Sequence, residues 1–188
     1  MKRIVIFIAT LLLIVLAASA RQPERGYRGF LDWDNSLYRV DTWMPGNKTT
    51  AFYTGISTSH GYQISPLFYV GAGISFEHCG KFDNSYLTPF VHGRSDFRFG
   101  RLTPFGEVRL GYNLTNGGGV FFSPNVGYRF NWGRKMGVNL GLGLSLYGYS
   151  ADIYEPADNP VNGYDTYVKV GVYHGCRVSF SFRVGIDF

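Results

Sequence analysis

The stretch that most restricts this chain runs from Val178 to Phe188, where every second side chain is large and apolar. Strand side chains alternate with period 2, so Val178, Phe180, Phe182, Val184, Ile186 and Phe188 share one face. Ser179, Ser181, Arg183, Gly185 and Asp187 share the other. One face suits an apolar surrounding and the other a polar one.

The same alternation recurs upstream between turn signals, and no helical pattern of any length competes with it. A first strand begins near Tyr27-Arg28-Gly29-Phe30 and runs to about Val40. Further strands are predicted over residues 51–64, 67–78, 87–97, 104–114, 120–132 and 137–149, with an eighth ending the chain. Residues 164–173 either extend the eighth strand or form a ninth and tenth. Connections at Ser65-Pro66, 99–103 and 133–135 are short, and those at 41–50, 79–86 and 151–166 are longer, with 115–119 breaking the rule. Segments of this length suit tilted membrane strands of about 9–11 residues. An even strand number with alternating short and long connections fits a barrel with both termini at one end. Closure is compulsory in lipid, where an open edge leaves backbone groups unpaired. The expected fold is all-β, an eight-stranded antiparallel up-and-down transmembrane β-barrel.

Residues 1–20 read as a cleaved signal peptide: basic Met1-Lys2-Arg3, an apolar run from Ile4 to Ala17, and the small-residue site Ala18-Ser19-Ala20. The run is shorter than the ~20 residues of a spanning helix. Residues 21–188 then form the single barrel domain. Of the formal charge of +5, Lys2 and Arg3 carry two, which leaves too little to argue for nucleic acid. With 18% aromatic residues and 25 Gly, the composition suits a barrel whose two faces average out.

If the apolar face meets lipid, the opposite parity lines the lumen. That parity holds Arg28, Asp32, Asp34, Glu77, Arg94, Asp96, Glu107, Arg109, Arg129, Arg177, Arg183 and Asp187, six arginines against six carboxylates. Such a lining argues against a soluble barrel with an apolar ligand pocket, because burying these charges beside apolar ligand is costly. Lysine is absent from the set. Arginine binds carboxylates through a planar fork, so paired charges are the expected filling of a barrel just wide enough for its side chains. Inward glycines at 71, 73, 111, 127, 141 and 143 are expected to make room for these arginines, or else to leave a narrow wet cavity.

Gly26-Tyr27-Arg28-Gly29-Phe30, Ser59-His60-Gly61-Tyr62-Gln63-Ile64, Tyr69-Val70-Gly71-Ala72-Gly73-Ile74 and the aromatic-ended last strand together resemble the outer membrane protein beta-barrel domain family. These are the small OmpA/OmpX-type outer-membrane barrels of Gram-negative bacteria. The resemblance covers most of residues 21–188, each stretch being a weak pattern whose weight comes from order and from the closing Phe. It implies outer-membrane localisation, outer-membrane lipid and the barrel-assembly machinery as partners, and Phe182, Val184, Ile186 and Phe188 as the assembly signal. Members are structural, adhesive or host-interacting. The expected barrel takes up the rest of this sequence, a departure from OmpA, which has a soluble domain after its barrel, so peptidoglycan anchoring is not expected.

Candidate chemistry is sparse. Thr58 and His60 lie two residues apart on the outward face, but no orienting carboxylate accompanies them, and a lipid-modifying activity ranks low. His60 fits better as an interfacial side chain beside Tyr62, and His92 belongs to the polar filling. His78 and His174 approach one another only if the rim brings them together, and their spacing is a poor metal signature. Residues 151–166 carry Asp152, Glu155, Asp158 and Asp165 without a basic residue, and read as a solvated loop or a contact for an extracellular partner. Cys79 has inward parity and Cys176 outward, so a disulfide requires a bulge that resets parity. Trp33, Tyr62, Phe97, Tyr128, Trp132 and Phe188 are expected to form interfacial girdles near strand ends. No enzyme activity, cofactor or metal is expected. The expected role is that of a monomeric outer-membrane barrel, structural or surface-interacting through its loops. A narrow porin-like channel is the alternative.

Overall fold

The structure is a computed structural model that describes residues 25–41, 48–97, 101–115, 118–132, 136–156 and 167–188. Residues 1–20, expected to be a signal peptide, and residues 157–166 of the expected last loop lie outside the described residues. Eight strands follow in order: β1 (Gly26–Asp41), β2 (Lys48–Gln63), β3 (Phe68–Cys79), β4 (Asn84–Asp96), β5 (Leu102–Asn113), β6 (Gly119–Trp132), β7 (Met136–Pro156) and β8 (Tyr167–Asp187). Each pairs antiparallel with its successor, and β8 returns to pair with β1. The fold is a closed, up-and-down, eight-stranded β-barrel. Gly29 and Phe188 exchange backbone hydrogen bonds of 2.8 and 3.0 Å at the closing seam.

No ninth or tenth strand appears among the described residues. Residues 167–173 extend β8 and pair with the end of β7, from Ala151↔Tyr173 to Pro156↔Tyr167, with a register shift between Ile153 and Tyr154. The first part of the expected loop 151–166 is therefore strand. Backbone pairing runs on past the stretch where outward side chains stay apolar, because a hairpin's ladder depends on its own N–H and C=O groups. For the same reason the connection expected at 79–86 shrinks to 80–83, where Asp83 adopts φ +50°. The expected contrast of long and short connections thus survives chiefly at the β7–β8 hairpin.

The pleat sorts the side chains. Outward positions are large, apolar and exposed on every strand, as at Leu31, Ile56, Ile74, Val91, Leu110, Val126, Leu142 and Phe180. Inward positions are buried and mostly polar or charged. Seven aromatic residues also point inward and are buried: Phe30, Tyr53, Tyr69, Phe90, Phe105, Phe121 and Tyr147. Their rings correct the expectation about glycine. The space beside Gly71 is taken by Tyr69, beside Gly73 and Gly111 by Phe90, and beside Gly127 by Phe105, while Gly143 faces Asn125. Of these six, Gly141 adjoins an arginine stem, that of Arg183, and Gly137, outside the expected set, lies against the Arg129 side chain.

Candidate functional site

Among the described residues, charged groups converge in the barrel interior. β1 supplies Arg28, Asp32 and Asp34, β4 supplies Arg94 and Asp96, and β5 supplies Glu107 and Arg109. Glu77 comes from β3, Arg129 from β6, and Arg177, Arg183 and Asp187 from β8. All twelve charged residues are buried.

Near the chain termini, Arg28 reaches Asp187 at 3.1 Å and Asp96 at 3.0 Å, and donates to Gln63 at 2.8 Å. Arg129 grips both oxygens of Asp187, Nε at 2.8 Å and Nη2 at 2.5 Å. Arg94 pairs with Asp96 at 2.9 Å and donates to Asn139 at 2.8 Å. At mid-height, Arg109 pairs with Asp32 at 2.5 Å and lies 3.5 Å from Asp34, while Arg183 bridges Asp34 and Glu107. An Arg94–Glu107 contact of 3.7 Å joins the two groups. Five arginines and five carboxylates thus form one connected network. Buried charges are tolerable only when paired and hydrogen-bonded in this way.

His92 lies in the polar filling as expected, with Nε2 3.2 Å from Glu107 and Nδ1 2.9 Å from Ser59. Parity reasoning passed over one kind of participant, the aromatic rings. Aromatic faces line the guanidinium groups: Arg94 lies 3.7 Å from the Phe105 centroid, Arg28 4.8 Å from Phe30, and Arg109 4.8 Å from Phe90. The signal was present, since Phe30, Phe90 and Phe105 each stand two residues from a lumenal charged or histidine residue.

Nearer the β7–β8 hairpin the interior changes character. Arg177 and Glu77 are buried there among Tyr53, Tyr86 and Tyr147, and neither enters an ion pair among the described residues. Tyr147 donates to Glu77 at 2.6 Å.

On the outer surface, Thr58, His60 and Tyr27 form a chain: His60 Nε2 is 3.0 Å from Thr58 Oγ1, and Nδ1 is 2.5 Å from Tyr27 Oη. Thr58 already donates to the Phe30 carbonyl at 3.0 Å. A neutral imidazole satisfies all three contacts when Nε2–H donates to Thr58 and Tyr27 donates to Nδ1. In that tautomer His60 has no acceptor for the Thr58 proton. His78 and His174 bond to separate serines, Ser85 at 3.0 Å and Ser150 at 2.9 Å. Cys79 is buried, Cys176 is exposed, and both are free thiols. Among the described residues no group of three His, Cys, Asp or Glu side chains is placed to hold a metal.

No protein-family model matches the chain, and no curated protein matches it in sequence. The geometry therefore stands by itself.

One expected girdle residue is misplaced. Trp33 lies in the middle of β1, opposite Ile56 and Val184, and its indole donates to Thr54 at 2.8 Å. Thr54 in turn donates to Asn35 at 2.9 Å. Tyr62, Phe97, Trp132 and Phe188 do cluster at the termini end, because their strands finish there. Of the positions expected to form an assembly signal, Phe182, Val184 and Ile186 face outward on β8 along the seam with β1 and β7, and Phe188 follows β8 and is exposed.

Proposed function

We propose that this chain is an integral outer-membrane β-barrel whose filled interior makes it a scaffold, and whose β7–β8 hairpin is the surface offered to the outside. The observation that carries this reading is the inversion of polarity across one closed sheet. Apolar side chains are exposed all round the barrel, and paired charges are buried within it. A water-soluble protein rarely exposes a continuous apolar patch beyond a few hundred Å², whereas a barrel in lipid needs an outward apolar band and no open edge. The resemblance to the small OmpA/OmpX-type barrels and the signal-like residues 1–20 agree with it.

The hairpin supports the second half of the proposal. β1 pairs with β8 only as far as Leu37↔Phe180, and β6 pairs with β7 only as far as Phe121↔Tyr147. Beyond those points β7 and β8 pair with each other, up to Pro156↔Tyr167. Among the described residues those outer edges have no further strand beside them, and Ile153, Val170, Val172 and Tyr173 are exposed. An exposed strand edge is a template for an added strand from a partner.

The test is expression of the full chain in a Gram-negative host. Recovery from the outer-membrane fraction, a heat-dependent gel shift, and cleavage near residues 153–170 by protease added to intact cells are expected. Recovery as soluble periplasmic protein would overturn the reading.

A further inference from the structure

Arg177 stands apart from the other lumenal arginines. Arg28, Arg94, Arg109, Arg129 and Arg183 each sit in an ion pair, and Arg177, only 6% exposed, has none among the described residues. Its Nη1 donates to Tyr86 Oη at 3.1 Å, while its Nε and Nη2 have no acceptor among the described residues. These two N–H groups form one edge of the guanidinium plane. It is the edge with which Arg129 grips the two oxygens of Asp187.

Ring faces hold the Arg177 charge instead. The guanidinium carbon lies 4.4 Å from the Tyr53 centroid, 4.5 Å from Tyr147, 4.7 Å from Tyr86 and 5.2 Å from Tyr38. These rings come from β2, β7, β4 and β1, so they enclose the cation from several sides. Stacking satisfies the faces of a guanidinium and leaves its edge open. A buried donor pair without an acceptor is costly, and charge-assisted bonds from such an edge to an oxyanion are the strong ones. Glu77 does not fill the role, since Oε1 accepts from Tyr147 and Oε2 has no donor.

We propose that Arg177, framed by Tyr38, Tyr53, Tyr86 and Tyr147, binds the carboxylate or phosphate of a small solute entering from the β7–β8 end of the barrel. The Nε and Nη2 edge grips the oxyanion side-on, and the phenolic rings exclude water from it. Tyr38 and Tyr86 are the half-buried members of the cage. Rotation of their side chains opens the way in.

The experiment is a titration of the refolded full chain in zwitterionic micelles, following the arginine Nε–H resonances by NMR. Inorganic phosphate, acetate and phosphatidylglycerol are added in separate arms. The Arg177 signal is identified by its loss in Arg177→Lys. Phosphate or acetate is expected to shift the Arg177 signal saturably and to leave Arg129, whose edge is filled, unmoved. Arg177→Lys keeps the charge without the fork, and is expected to weaken binding at least ~10-fold. No shift, a non-saturating shift, or equal binding by Arg177→Lys overturns the proposal. A response to phosphatidylglycerol alone also overturns it, by assigning the edge to lipid headgroups. Should Arg177→Lys fail to give the heat-dependent gel shift, the Arg177 and Arg129 signals are assigned in the wild type through their backbone resonances, and the wild-type titration decides.

Discussion

Removing Arg183 from the middle of the barrel leaves the carboxylates that share it with longer arginine contacts only, Asp34 with Arg109 at 3.5 Å and Glu107 with Arg94 at 3.7 Å. Arg183 bridges Asp34 and Glu107, both buried, and no other cation replaces it at both. Breaking a buried ion pair by removing one partner costs about 3–5 kcal/mol. Arg183→Ala is therefore expected to lower unfolding stability by about that amount in urea titrations of vesicle-reconstituted protein. Lys81 bonds to Thr49 on the exposed surface, and Lys81→Ala is expected to change stability by less than about 0.5 kcal/mol. Equal losses from the two variants would mean that the interior network contributes no more than a surface contact. A second residue-scale test concerns the seam. The Phe188 ring lies over Gly29, where an added Cβ would meet two ring atoms. Gly29→Val must push that ring away, at a cost of about 1–3 kcal/mol typical of overpacking. A lowered temperature for loss of the heat-dependent gel shift is the expected sign, and Gly93→Val, with open space around it on β4, has no ring to displace.

Each barrel strand needs its two neighbours, but the far half of the β7–β8 hairpin needs only itself. Joining Ser150 to His174, which face each other in the ladder, through a two-residue Asn-Gly turn removes the extension while keeping Tyr147↔Arg177 below it. The shortened chain is expected to fold with the same gel shift and urea midpoint, and to lose its cleavage site for external protease. Failure to fold would show that the extension belongs to the barrel's folding core. The periodic parts of the strands were readable in the sequence because each slip of one residue would put an arginine outside or a leucine inside. The ends were not readable, since Ala151 to Pro156 and Tyr167 to Tyr173 continue pairing after the alternation has faded. Register explains the interior as well. Parity alone located the lumenal charges, but which arginine meets which carboxylate depends on strand stagger, which brings Arg28 of β1 to Asp96 of β4. Trp33 was misjudged for the same reason: an aromatic residue announces an interface only if its height along the barrel is known.

For the molecule as a whole, the decisive quantity is how completely side chains fill the lumen. An eight-stranded barrel is narrow enough for its own side chains to close it. Here the filling is layered: Arg28, Arg94 and Arg129 with Asp96 and Asp187 near the termini, then Arg109 and Arg183 with Asp32, Asp34 and Glu107. Beyond these lie the phenolic rings around Arg177. The aromatic faces of Phe30, Phe90 and Phe105 occupy the space between the guanidinium groups, leaving those cations little freedom to swing aside. A passing ion would have to break bonds in each layer in turn. Wild-type protein reconstituted in planar bilayers is therefore expected to be silent at ordinary voltages. The double variant Arg183→Ala/Glu107→Ala removes one cation and one anion together, which spares the barrel a stranded charge from that pair and leaves a hole at mid-height. Current fluctuations in the double variant but not in the wild type would identify the charge network as the plug. Steady channels in the wild type would instead mean that the interior rearranges in lipid, and would move the porin-like reading to first place.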